Sequence, residues 1–301
     1  MNGDILFEIF TYMSFKALSQ ARLASRSLRD LATTILRRRW HAVLRAFVDN
    51  PLRFRTMLRL SRSVIAGSTA LHMAVQGSEL ERGWFPRDMD VYTPMSASAG
   101  VVEHFTEVEG YHIVTQGLVD DPSRQSLSNG GMAIITTLRR GEDNVSVDVI
   151  TAITNAPLAP ITFSWSTLLM NYATADTLSL AYPRSTLAGQ GLLNPARSQD
   201  AGVESCHLKY MARGFSFVPF SENGVVHSFT NPSPLYCPHT YRDFEDVGCL
   251  RMALDNMEDV VQPPQVFPLH FPRWKLGGGP CQARCRPGNA ARYMSLMPFT
   301  R

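Results

Sequence analysis

Apolar positions recur every three or four residues along the first fifty positions, the spacing of helices with one buried stripe. Ile5, Leu6, Ile9 and Phe10 mark a helix over 4–12. Ser14 is placed to cap a second helix carrying Leu18 and Leu23. A third and longer helix carries Leu28, Leu31, Ile35, Leu36, Val43, Leu44, Phe47 and Val48, and Asn50-Pro51 ends it. Three short helices make a thin core, so this unit needs a partner or a neighbouring domain to cover its apolar faces.

Beyond Pro51 the period changes. "SVIAGS" (63–68) reads as a buried strand running into Gly67-Ser68, with Ser68 as the cap of a helix over 68–76. "DMDVYT" (88–93) alternates as a strand, and Trp84, Phe85 and Pro86 bring the chain into it. A helix over 99–110 ends at Gly110, a strand follows over 111–117, and 120–131 is a loop by composition. The segments 132–141 and 144–154 form a hairpin around "GEDN". The stretches 159–174 and 201–215 read as further helices, the first mostly buried. After about residue 215 proline becomes denser, periodicity fades, and no internal repeat is visible. The expected fold is therefore α+β: a three-helix module (1–50), a mixed-sheet domain covered on one face (51–215), an irregular extension (216–275) and a disordered tail (276–301).

Charge divides the chain further. Residues 1–62 hold 12 Lys+Arg against 4 Asp+Glu, and the rest holds 17 against 22, so the basic excess is N-terminal. Only Lys16, Lys209 and Lys275 are lysine. The run Arg37-Arg38-Arg39 fans out by about 100° per residue on a helix, so it reads as a solvated face rather than a nucleic-acid patch. No apolar run nears the roughly 18 residues of a membrane span. The first residues carry acids rather than a basic n-region, so the expected compartment is the cytoplasm or nucleus.

Asp88 and Asp90 lie two apart on one strand and share a face, while Met89 points the other way. Like charges so close repel unless a cation sits between them, and Mg²⁺ takes oxygen ligands of this kind. Asp148 sits mid-strand among Val145, Val147 and Val149, an expensive place for an acid without a partner. It is either a third metal ligand or the partner of an arginine such as Arg139 or Arg140. Gly67-Ser68 at a helix N-terminus, where free N–H groups and the positive dipole end gather, is a suitable seat for phosphate.

Two resemblances follow from these motifs. The stretch "GDILFEIFTYMSFKALSQARLASRSLRDLA" resembles the F-box, which implies docking onto the Skp-type adaptor of an SCF ubiquitin ligase, with Leu6, Ile9, Phe10, Leu18 and Leu23 as the contact set. Apolar-Gly-Ser, a helix, Asp-x-Asp on a strand and a later strand Asp together resemble the nucleotidyltransferase superfamily with the polymerase-beta-like fold. That likeness implies nucleotide phosphate on Gly67 and Ser68, metal on Asp88 and Asp90, and Asp148 as second-metal ligand or activator of the attacking hydroxyl. The combination is similar to an expanded set of fungal, mostly basidiomycete, proteins.

The remaining candidates are sulfur and imidazole. Cys237, His239 and Cys249, with Cys206 as a fourth, could hold a structural Zn²⁺, although their spacing matches no standard finger and free thiols are the favoured reading. No Gly-x-Gly-x-x-Gly, P-loop, His-Glu-x-x-His or Gly-x-Ser-x-Gly motif occurs. The sequence thus reads first as an adaptor whose nucleotidyltransferase-like domain recognises or regulates, with catalysis degenerate. The alternative is an active Mg²⁺-dependent enzyme moving a nucleotidyl group from an NTP to an acceptor.

Overall fold

The computed structural model describes residues 3–118, 130–141, 145–194, 197, 202–218, 240–254 and 271–276. Four helices come first: α1 (Gly3–Tyr12), α2 (Phe15–Ala21), α3 (Arg26–Leu44) and α4 (Pro51–Ser61). Their starts follow from their caps. Ser14 Oγ accepts from Ala17 N at 3.1 Å and Ser25 Oγ from Leu28 N at 3.2 Å. The third helix ends at Leu44, short of Val48, and Asn50-Pro51 opens α4 as well as closing what precedes it. Asn50 Oδ1 accepts from Leu52 N and Arg53 N, and Pro51 stands at the first position, where its missing N–H costs nothing.

The chain then builds one mixed sheet. Its strands are β1 (Val64–Ala66), β2 (Asp88–Thr93), β3 (His112–Leu118), β4 (Met132–Arg140), β5 (Val145–Ala152), β6 (Asn171–Ala173), β7 (Thr177–Leu180) and, far along the chain, Leu250–Ala253. The last becomes β10 once β8 (Gln190–Leu192) and β9 (Ser216–Val218), a separate parallel pair, are numbered. The sheet order is β10-β7-β6-β1-β2-β5-β4-β3, antiparallel throughout except for β2 beside β5. Four more helices connect these: α5 (Gly67–Val75), α6 (Ser98–Glu103), α7 (Pro183–Leu187) and α8 (Val203–Ala212). Among the described residues no helix is long and apolar enough to cross a membrane.

Alternation sorts the sheet into two faces. Ile65, Met89, Val91, Leu138, Val147 and Val149 belong to one core with Phe10, Phe15, Leu18, Trp40, Phe47, Phe54 and Phe105. The thin helical core is therefore completed by the chain's own sheet, and residues 1–50 share their interior with the strands. Trp40, Phe47 and Phe54 are fully buried there, each worth about 1.5–3 kcal/mol of apolar burial. A charged tie reinforces the joint. Asp176, in the β6–β7 turn, accepts from Arg55 Nη2 and Arg59 Nε, both at 2.9 Å, while Arg55 Nε donates to Ala175 O at 2.7 Å. The opposite face carries Val64, Ala66 and Tyr92, and it carries the acids.

Two segments differ from the pattern read in the sequence. Residues 159–174 form no helix. They make two 3₁₀ turns (Pro160–Phe163, Thr167–Leu169) and then β6, because Pro160 and the Ser166 side chain, which accepts from Leu168 N, favour tight turns. The stretch read as irregular supplies β9 and β10, strands of three and four residues and too short to show a period. The tail from 277 onward lies outside the described residues.

Candidate functional site

The β1–α5 junction and strands β2 and β5 bring the acids together. In the parallel β2–β5 pairing Asp90 stands opposite Asp148, and Asp88 opposite Ser146. Directly paired residues share a face, so Asp88, Asp90 and Asp148 project to the same side, away from the helical core. Beyond Asp148 the same rung continues into Thr137 of β4, which donates a hydrogen bond to the Asp148 carboxylate.

Gly67 starts α5 with φ +60°, and Ala66 holds the cap position without a side-chain bond. Ser68 is thus inside the helix rather than its cap. Its Oγ donates to Asp88 Oδ1 at 3.1 Å, and Thr69 Oγ1 donates to the Asp88 carbonyl at the same distance. A Cβ at Gly67 would overlap Asp90 Oδ2. Glycine is required here for two reasons, the left-handed backbone and the carboxylate pressed against it.

Burial dominates the electrostatics. It pushes the Asp90 carboxyl well above the ordinary aspartate range, and the neighbouring charges of Asp88 and Asp148 push the same way. Asp148 is also raised, first by burial, with the Thr137 hydrogen bond and Arg139 opposing. Its Oδ1 is buried without a hydrogen-bond partner. Arg140, the other arginine considered for it, instead pairs with Asp49 at 2.8 Å. The Tyr92 and Tyr210 phenols are held protonated, mainly by burial and partly by the acids beside them.

Gly67, Ser68, Asp88, Asp90 and Tyr92 line a cavity of about 310 Å³, within the range of small-molecule sites, and Asp148 stands beside Asp90 outside that lining. Its walls include Phe163, Trp165 and the face of α8 that carries Val203, Cys206, Lys209 and Tyr210. Lys209 Nζ lies 3.6 Å from Asp88 Oδ2. The sequence contained no sign of this. Lys209 is 121 positions from Asp88, and the helical period alone does not say which way α8 faces.

Among the described residues no group of three or more His, Cys, Asp or Glu side chains is assembled closely enough to hold a metal ion by itself. Mg²⁺ does not demand one, because it is commonly bound through one or two carboxylates with phosphates and water completing the shell. Asp90 and Asp148, both raised and side by side, with one orphaned oxygen on Asp148, fit a group that brings positive charge.

The other candidates divide. Phe10 and Leu18 are buried in the chain's own core, and Leu6 packs half-buried against it. Ile9 and Leu23 are exposed, at 48% and 83%. Of the sulfur and imidazole set, Cys237 and His239 lie outside the described residues. Cys249 accepts from Arg242 Nη2 at 3.4 Å and donates to Asp243 O at 3.3 Å, and burial pushes its thiol up to about 12. Cys206 is elsewhere, in the wall of the acid cavity.

No family model, curated protein or solved structure matches this chain.

Proposed function

We propose that the chain binds a Mg²⁺–nucleoside triphosphate on the acid-bearing face of its sheet and transfers the nucleotidyl group to a hydroxyl acceptor, whose oxygen bonds the α-phosphorus as the α–β phosphoanhydride bond breaks and pyrophosphate leaves. The observation that carries this reading is the shared rung of Asp90 and Asp148, with Asp88 two residues along and the Gly67–Ser68 helix start beside them. In this reading Asp88 and Asp90 would hold the cation, which would supply charge neutralisation at the α-phosphate under attack. Gly67 leaves room for the Asp90 carboxylate, and backbone N–H groups at the start of α5 donate to the phosphate chain. Ser68 fixes the Asp88 carboxylate in one orientation through its 3.1 Å bond. Asp148, whose raised affinity for protons suits a base, accepts the proton of the attacking hydroxyl. The phenols of Tyr92 and Tyr210 stay neutral and add no negative charge near the phosphates.

A thermal-shift panel tests this: the four NTPs with and without Mg²⁺, on the wild type and on Asp88→Asn/Asp90→Asn. A ligand that binds only the folded state raises the midpoint by mass action. The expected result is a Mg²⁺-dependent rise for at least one NTP that the double variant lacks. No shift with any nucleotide contradicts the reading.

A second reading, an adaptor that docks onto a Skp-type partner of an SCF ubiquitin ligase, rests on a separate observation. Ile5, Ile9 and Tyr12 form an exposed stripe along α1 at 55%, 48% and 76%, and Leu23 stands exposed at the end of α2. The buried Phe10 and Leu18 would hold that stripe in place rather than touch the partner. Co-purification with the adaptor, lost in Ile9→Asp/Leu23→Asp, supports it; failure of the intact protein to retain the adaptor overturns it.

A further inference from the structure

We infer that Lys209 is a built-in counter-ion that competes with the metal for Asp88 and then serves the phosphate chain, so that cation and polyphosphate load together. The inference rests on the Mg²⁺–nucleotide reading above and names how that site is regulated.

Three observations carry it. The first is distance: Lys209 Nζ is 3.6 Å from Asp88 Oδ2, so its ammonium neutralises the carboxylate at the mouth of the cavity. The second is anchorage. The α8 backbone is fixed by Tyr210, buried in a cluster with Leu71 of α5 and Phe215. One turn on, the Arg213 guanidinium lies 4.4 Å from the Trp84 ring centre and 5.1 Å from that of Tyr210. The helix has no need to move. The third is freedom of the side chain itself: Lys209 and Asp88 keep 41% and 35% of their side-chain surface exposed. A lysine is a point charge on a flexible four-carbon stem, so it can leave one oxygen for another within the same cavity.

The consequence is a coupling between two ligands. A divalent ion arriving alone must displace the ammonium from Asp88 and leave it beside a second positive charge. A polyphosphate arriving with the ion offers the ammonium a new partner, and the opposition vanishes. By linkage each ligand then strengthens the other by the same factor. An ion pair this exposed opposes the metal by roughly two- to five-fold in affinity. Loss of a lysine–phosphate contact weakens polyphosphate binding by about ten-fold.

The test is titration calorimetry with Mn²⁺ alone and with Mg²⁺–tripolyphosphate, on wild type, Lys209→Met and Lys209→Arg. The expected result is opposite movement in Lys209→Met: Mn²⁺ alone binds two- to five-fold tighter and Mg²⁺–tripolyphosphate about ten-fold weaker, with Lys209→Arg close to wild type in both. If wild type binds both probes and Lys209→Met changes neither, or weakens both equally, the counter-ion role is wrong while the site stands. If wild type binds neither probe, the Mg²⁺–nucleotide reading fails and this inference fails with it.

Discussion

Asp90 and Asp148 stand directly opposite each other across the β2–β5 pair, the one parallel pairing in the eight-stranded sheet. Parallel pairing lets two strands far apart in sequence present acids on one rung, and the helical layer occupies the other face. The arrangement is costly without a cation, and that cost makes it testable.

Stability in the absence of divalent ions should fall as pH rises. Asp90 and Asp148 have folded-state pKa values above the unfolded aspartate value of about 4. In the window above that value the folded state binds more protons than the unfolded chain, so stability is lost as pH rises through it and is lowest once both acids ionise. Asp90→Asn should flatten the slope and raise Tm at pH 8, because it removes one of the acids that ionise in that window. Thermal melts from pH 5 to 8 in chelator read both effects. A wild-type profile that rises with pH would oppose the electrostatic account.

Gly67→Ala should be destabilising by about 2 kcal/mol or more. The φ of +60° strains any L side chain by about 1–2 kcal/mol, and the new methyl meets Asp90 Oδ2. Adding Asp90→Gly should recover the steric part and leave the backbone part. Urea unfolding of the single and double variants separates the two.

The five N-terminal positions should split by burial. Leu18→Ala, at a fully buried site, should cost about 2–5 kcal/mol. Leu23→Asp, on an 83% exposed side chain, should stay within about 0.5 kcal/mol of wild type. Equal effects on denaturation midpoints would mean that Leu18 is not buried in the shared core as described.

Asp176→Ala should cost about 3 kcal/mol, because it leaves the buried Arg55 guanidinium without its carboxylate. Arg55→Met/Asp176→Ala should be milder, since it removes the stranded charge as well. Chemical denaturation of both variants checks the order.

Much of this was legible because it was local. Period and caps located α1 to α3, and alternation gave the strands around Asp88, Asp90 and Asp148 and the face that Asp88 and Asp90 share, while the rung that adds Asp148 came only with the sheet pairing. What was hidden was long-range. Nothing near Phe10 or Leu18 says that they belong to one core with residues of the chain's own sheet. Residues 159–174 are apolar enough to look like a buried helix, but Pro160 and Ser166 set turns, and partners on both sides make Asn171–Ala173 a strand. Ser68 had the residue type of a helix cap, but Asp88 claims its hydroxyl. Lys209 acquires its meaning only from the packing of α8 across the cavity.

Anomalous diffraction from crystals grown with Mn²⁺ and a non-hydrolysable NTP analogue tests directly whether these acids hold a cation. A manganese peak is expected within coordinating distance of Asp88 and Asp90, with phosphate oxygens completing its shell beside Gly67 and Ser68. Crystals that hold the analogue elsewhere, or no manganese between these carboxylates, would contradict it.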